Sequence, residues 1–299
     1  MTRTMRGRLC WTVLIFATMT ASVAMAQADG PLRKLAPGVL QTVDPQRQLN
    51  ESFSRHDLVE LLAVNPQFDW AKDVPIRHNI WTLEFKFKPM RMVWVDIPQP
   101  SGQMQRQLIW YLLYSVTNTG QALVPKEDKD VGYETALNRK VWEVTKVDAP
   151  VRFIPNFLLE ARNRLADGEG TVKAYRDNII PVAIAPIQAR EDRNLKLLNT
   201  VEICGEIKLG ETRWGVATWQ GVDPTTVRFS VHVQGLTNAY RWEDVEGAVK
   251  VGSPIGTGRR LMRKTLVLNF WRPGDEFEEN EDEIRYGRPG AVDYEWVYR

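Results

Sequence analysis

From residue 76 onward, apolar and polar positions alternate with a period of two. Leu83, Phe85 and Phe87 interleave with Glu84, Lys86 and Lys88, the pattern of a strand with one wetted face. After Pro89 the phase shifts: Met90, Met92 and Trp94 share a face with Arg91 opposite. This predicts a bulge or break at Pro89 that re-aims the strand. Residues 108–116 (LIWYLLYSV) are apolar on both faces and run into Thr117-Asn118-Thr119-Gly120, which reads as a central strand entering a turn. Further strands are expected over 141–147, over 151–160 with Pro155 interrupting, and over 201–209 and 213–219. Val227, Phe229, Val231 and Val233 alternate with Arg228, Ser230 and His232. Leu266, Leu268 and Phe270 line another strand, and Val292, Tyr294, Trp296 and Tyr298 the last. Residues 220–224 (QGVDP) have the length and composition of a hairpin loop.

The 3.6-residue period is convincing once. Ser54 can cap, Asp57 follows three residues on, and Leu58, Leu61 and Leu62 recur at helical spacing before Asn65-Pro66 stops the run. About nine or ten strands with little helix imply a mainly β fold: an antiparallel β-sandwich with one short N-terminal helix. The expected organisation is an N-terminal arm over 27–53, the helix and its connection over 54–75, and one elaborated sandwich over 76–299. Polar, Gly-bearing residues 161–178 (ARNRLADGEGTVKAYRDN), followed by Pro181 and Pro186, are the place where two sandwiches would divide instead.

The first 26 residues read as a secretory signal. Arg3, Arg6 and Arg8 precede an apolar run over 9–19, and Ala24-Met25-Ala26 supplies the small-x-small pattern, which places cleavage after Ala26. Thr18, Thr20 and Ser22 dilute the run and argue against an uncleaved anchor. The expected location is periplasmic or extracellular, with no membrane span after cleavage. Removing this segment leaves 273 residues with 36 basic and 37 acidic side chains. Near neutrality gives no general electrostatic case for nucleic acid. Cys10 leaves with the signal, so Cys204 stands alone and stability must come from core burial.

Tyr114 to Gln121 (YSVTNTGQ) resembles the strand-turn passage of immunoglobulin-like extracellular modules, in which Asn and Gly turn the chain after an apolar strand. The wider chain is similar to secreted bacterial proteins. The resemblance implies an immunoglobulin-like sandwich and carries no functional residues. The Cys-Trp-Cys arrangement of immunoglobulin domains is missing.

No catalytic, cofactor or metal signature is present: no G-x-S-x-G, H-E-x-x-H, G-x-x-x-x-G-K or G-x-G-x-x-G. Residues 252–260 (GSPIGTGRR) fail a phosphate loop on spacing and read as a surface loop. His56, His78 and His232 are too far apart to write a local metal pair. His232, on the polar phase of a regular strand, and Cys204, on a polar phase with Glu202 and Glu206, are the surface candidates. The flanking carboxylates weaken Cys204 as a nucleophile. The acidic run 275–283 lacks the alternation and central Gly of a calcium loop and reads as solvated. Of ten remaining tryptophans, Trp81, Trp94, Trp110, Trp214, Trp219, Trp271 and Trp296 fall on expected strands. Burial between sheets is the ordinary fate of such rings, while an exposed row could meet a sugar or a protein. The pattern favours a non-catalytic exported protein that binds or scaffolds a protein or glycan partner. The alternative is a secreted hydrolase acting on a cell-wall or extracellular polymer.

Overall fold

A computed structural model describes residues 38–43, 79–125, 142–164, 170–245, 257–272, 283–288 and 290–299. The expected signal, the expected helix over 54–64, His56, His78 and all of the acidic run but Glu283 lie outside them. In chain order the strands are β1 (Gln41–Val43), β2 (Ile80–Trp81), β3 (Glu84–Phe87), β4 (Arg91–Pro98), β5 (Met104–Thr117), β6 (Gln121–Pro125), β7 (Trp142–Lys146), β8 (Val151–Phe153), β9 (Asn156–Arg164) and β10 (Gly170–Arg176). Helix α1 (Pro181–Glu191) follows. Then come β11 (Gly205–Ile207), β12 (Thr212–Trp219), β13 (Arg228–Gln234), β14 (Tyr240–Asp244), β15 (Arg259–Trp271), β16 (Arg285–Tyr286) and β17 (Tyr294–Tyr298). The fold is mainly β and its strand pairs are antiparallel.

Two large sheets dominate. The first runs β1-β3-β5-β12, with β4 also on β5. β4 pairs along Met104–Tyr111 of β5 and β3 along Tyr114–Thr117. Between Phe87 and Arg91 the chain takes four steps where β5 takes three, which is the expected bulge beside Pro89. The second sheet runs β10-β9-β13-β15-β14, and β16 and β17 also join β15. Two small sheets, β11-β8 and β2-β6-β7, complete the set among the described residues.

The two large sheets share one core. Phe85, Phe87, Trp110, Leu112 and Tyr114 of the first meet Phe157, Leu159, Phe229, Val231, Leu266 and Phe270 of the second. Ring centroids of Trp110 and Phe229 are 5.2 Å apart and those of Tyr114 and Phe157 4.8 Å apart, distances at which aromatic pairs add to area burial. The two apolar faces of 108–116 now have a cause. Trp110, Leu112, Tyr114 and Val116 enter this core. Ile109, Tyr111 and Leu113 on the other phase pack beneath α1, with Ala183, Ile187 and Leu197.

That covering helix was not anticipated. Ile180, Ala183, Ile184 and Ile187 do recur at helical spacing, but Pro181 and Pro186 read as breakers. Pro181 stands in the first turn, where a missing N–H costs nothing. Pro186 lies inside the helix, where the lost bond costs about 3 kcal/mol. Burial of Ala183 and Ile187, both fully enclosed, works against that cost. Glu191 fixes the far end: its carboxylate accepts from Arg91 (2.9 Å), Lys88 (3.0 Å) and Tyr111 (2.7 Å).

Two further expectations are corrected. Residues 220–224 do not close a hairpin, because β12 pairs in the first sheet and β13 in the second. Asp223 organises this crossing: its Oδ1 accepts from the Thr225 N–H and hydroxyl. No strand spans 201–209. The Asn199 side chain accepts from the N–H groups of Val201 and Glu202, an Asx turn, so pairing begins at Gly205 and Val201 is exposed. In the stretch named as the place where two sandwiches would divide, residues 161–164 and 170–176 pair as part of β9 and β10, with Gly170 opposite Arg164.

Candidate functional site

Strand register assembles a site on the outer face of the second sheet. Phe229, Val231 and Val233 point into the core, so Arg228, Ser230, His232 and Gln234 point outward by the two-residue period. Pairing sets Arg176, Leu158, His232 and Val267 in one row across β10, β9, β13 and β15. Asn156 and Gln234 stand opposite one another in a neighbouring row. Together Asn156, Leu158, Arg176, His232, Gln234 and Arg299 line an open pocket of about 260 Å³.

Most of these side chains are held in place. Glu160 accepts from Arg299 Nη1 at 3.0 Å and from Arg162 Nη2 at 3.2 Å. The His232 ring lies 3.5 Å from the same carboxylate, and Arg299 Nη1 is 3.1 Å from the imidazole nitrogens. Gln234 donates to Thr265 Oγ1 at 3.1 Å. Arg176 is the exception: it is exposed and makes no ion pair with a described residue.

Charge is distributed accordingly. Burial lowers His232 to about 4, helped by Arg299 and Arg162 and opposed by Glu160. The imidazole is therefore neutral near pH 7. Burial by itself would raise Glu160, but His232 and the bonds from Arg299 and Arg162 together bring it below its ordinary value. With His232 uncharged at neutral pH, the two arginines are the partners that count. Beyond the pocket, burial lowers Arg288, and repulsion from Arg162 and Arg228 lowers it further against the attraction of Glu295. Guanidinium groups from β9, β13 and the segment after β16 thus crowd one surface.

Sequence reasoning placed His232 correctly on the polar phase but expected an ordinary exposed residue. Its side chain is 12% exposed, because Arg299 reaches it from 67 positions away. Cys204 is exposed and lies in the turn before β11, with its Sγ donating to the Thr200 carbonyl oxygen at 3.2 Å. It does not join the His232 site. Arg176 and Asn156 carried no local signal, and only the pairing of β9 with β10 and β13 brings them there. Among the named tryptophans, Trp110 and Trp219 are buried, Trp81, Trp214, Trp271 and Trp296 half-buried, and Trp94 is 54% exposed beneath Arg106. No row of exposed rings forms among the described residues. They also hold no group of three His, Cys, Asp or Glu arranged for a metal ion, and no helix long and apolar enough to cross a membrane.

The fold and the site define a mainly β protein with an arginine-rich open sheet face. No family model, curated protein or solved structure matches the chain.

Proposed function

We propose that this is a non-catalytic exported protein of the cell envelope that holds a protein or glycan partner on the outer face of its second sheet. The carrying observation is the convergence of Arg176, Arg299 and the Arg162–Arg228–Arg288 group on one open surface. Arginine presents a rigid fork of donors suited to carboxylates and to hydroxyl-rich surfaces. The His232–Glu160 pair supports binding over the hydrolase alternative. A general base works best with a pKa near the operating pH, and His232 is far below it, while Glu160 is tied to two arginines.

Export rests on the arginine-led apolar run and the Ala24-Met25-Ala26 pattern, and the periplasm or exterior follows as the location. We also read the two facing antiparallel sheets as an immunoglobulin-like sandwich. In support, the YSVTNTGQ turn is firmly built. Asn118 is buried, donates to the carbonyls of Ala149 and Ile207, and accepts from the Gly120 N–H.

The test is capture from the cell's own envelope fraction on the immobilised chain, beside an Arg176→Gln/Arg228→Gln variant. A partner retained by the parent and released by the variant is the expected result. Equal retention by both would remove the sheet face from the account.

A further inference from the structure

We propose that the occupant of this face is an acidic polysaccharide whose sugar carboxylates pair with the arginines; the inference rests on the binding reading above and names its ligand. The mature chain is nearly neutral, so an arginine-rich sheet face is a local concentration and not a reflection of the whole. Glu160 is occupied by its own arginines, and among the described residues Glu295 is the one opposing charge acting on Arg288. The arginine surplus therefore remains for an outside anion.

Spacing suits a polymer better than a single ion. Register places Arg228 beside Arg162, and Arg176 beside Leu158, four positions farther along β9 and one strand over. At the usual rise and strand spacing, Arg176 and the Arg162–Arg228 pair stand about 14 Å apart. A short run of sugar units bridges that distance with a carboxylate at each end. Between these anchors the lining is polar. Asn156 and Gln234 offer amides, the latter oriented by Thr265, and such groups match sugar hydroxyls.

The same lining disfavours an acidic peptide. Among the described residues Leu158 is the single apolar side chain lining the pocket, so a peptide's hydrophobic anchors would have no seat. The pocket lies over β9 and β13, both of which are paired along both edges. Neither strand offers an open edge for a peptide backbone to join; the free edge belongs to β10, the end strand of this sheet among the described residues. Nucleic acid would share the anionic backbone, but among the described residues no Phe, Tyr or Trp lines the pocket for unpaired bases to stack on.

The experiment is titration calorimetry of the full chain with polygalacturonate at 50 and 200 mM salt. Its methyl-esterified form, poly-glutamate and a single-stranded oligonucleotide are titrated in parallel. Expected are saturable binding of polygalacturonate that weakens with salt, at least tenfold weaker binding of the methyl ester, and weaker binding of the other two polyanions. Arg176→Gln/Arg228→Gln should lose at least tenfold. Both side chains are exposed, and unchanged circular dichroism confirms the variant is folded. Trp94→Ala, on the first sheet, should bind as the parent does. Methyl ester binding as tightly as the acid, or poly-glutamate or the oligonucleotide binding at least as well, overturns the assignment. If polygalacturonate fails while envelope capture still depends on Arg176 and Arg228, the sugar is wrong and the binding face stands. If both fail, the binding reading falls as well.

Discussion

Replacing His232 with Gln exposes how the site is balanced. The imidazole is lowered to about 4 in the folded chain, against about 6.5 in an unfolded one. Between these values the unfolded state binds a proton that the folded state refuses, so stability falls as pH falls. The sign is that of a depressed pKa: the full stability is present above about pH 6.5 and is lost as pH drops towards 4. Within the window the loss is about 1.4 kcal/mol per pH unit, or roughly 3 kcal/mol in total. His232→Gln cannot titrate, and near pH 7 it forfeits the contact with Arg299, at about 1 kcal/mol. The parent should therefore be the more stable at pH 7 and the variant the more stable by pH 4.5. Urea unfolding of both chains at half-unit steps from pH 7 to 4.5 reads the crossing directly. Two parallel curves, with a gap independent of pH, would refute the claim that burial and Arg299 keep this imidazole neutral.

Two other substitutions probe the scaffold. Glu191→Gln leaves Lys88 and Arg91 without their anion. Since both keep some access to water, the loss should be near 3 kcal/mol, at the low end for a broken buried pair, read as a lower urea midpoint. Gly215→Ala would put its Cβ 2.5 Å from Tyr114 Cζ and 2.7 Å from Ile203 Cδ1. Overpacking should cost about 1–3 kcal/mol, and an unchanged melting temperature would mean that the core around Tyr114 is looser than described.

Legibility from the sequence followed sequence distance. Where one strand carries its own pattern, the reading held: residues 108–116 are apolar on both phases because one phase meets the second sheet and the other meets α1. The phase change at Pro89 emerged as a bulge for the same local reason. Helix α1 was hidden because Pro186 outweighs a weak four-residue period in any local reckoning, and only the packed neighbours reverse that balance. The turn at 199–204 was missed because one Asn side chain overrides the alternation of Val201 and Ile203. His232 was legible as a position but not as an environment. The arginines were invisible as a group: Arg162, Arg176, Arg228, Arg288 and Arg299 form no run, and a near-neutral total conceals them. Strand pairing creates that surface.

Hydrogen–deuterium exchange of the full chain with and without polygalacturonate shows which sheet face the polymer covers. Slowed exchange concentrated in β9, β10 and β13, with the β4–β5 hairpin around Trp94 unaffected, is the outcome this account requires. Protection centred on that hairpin, with the second sheet unchanged, would contradict it.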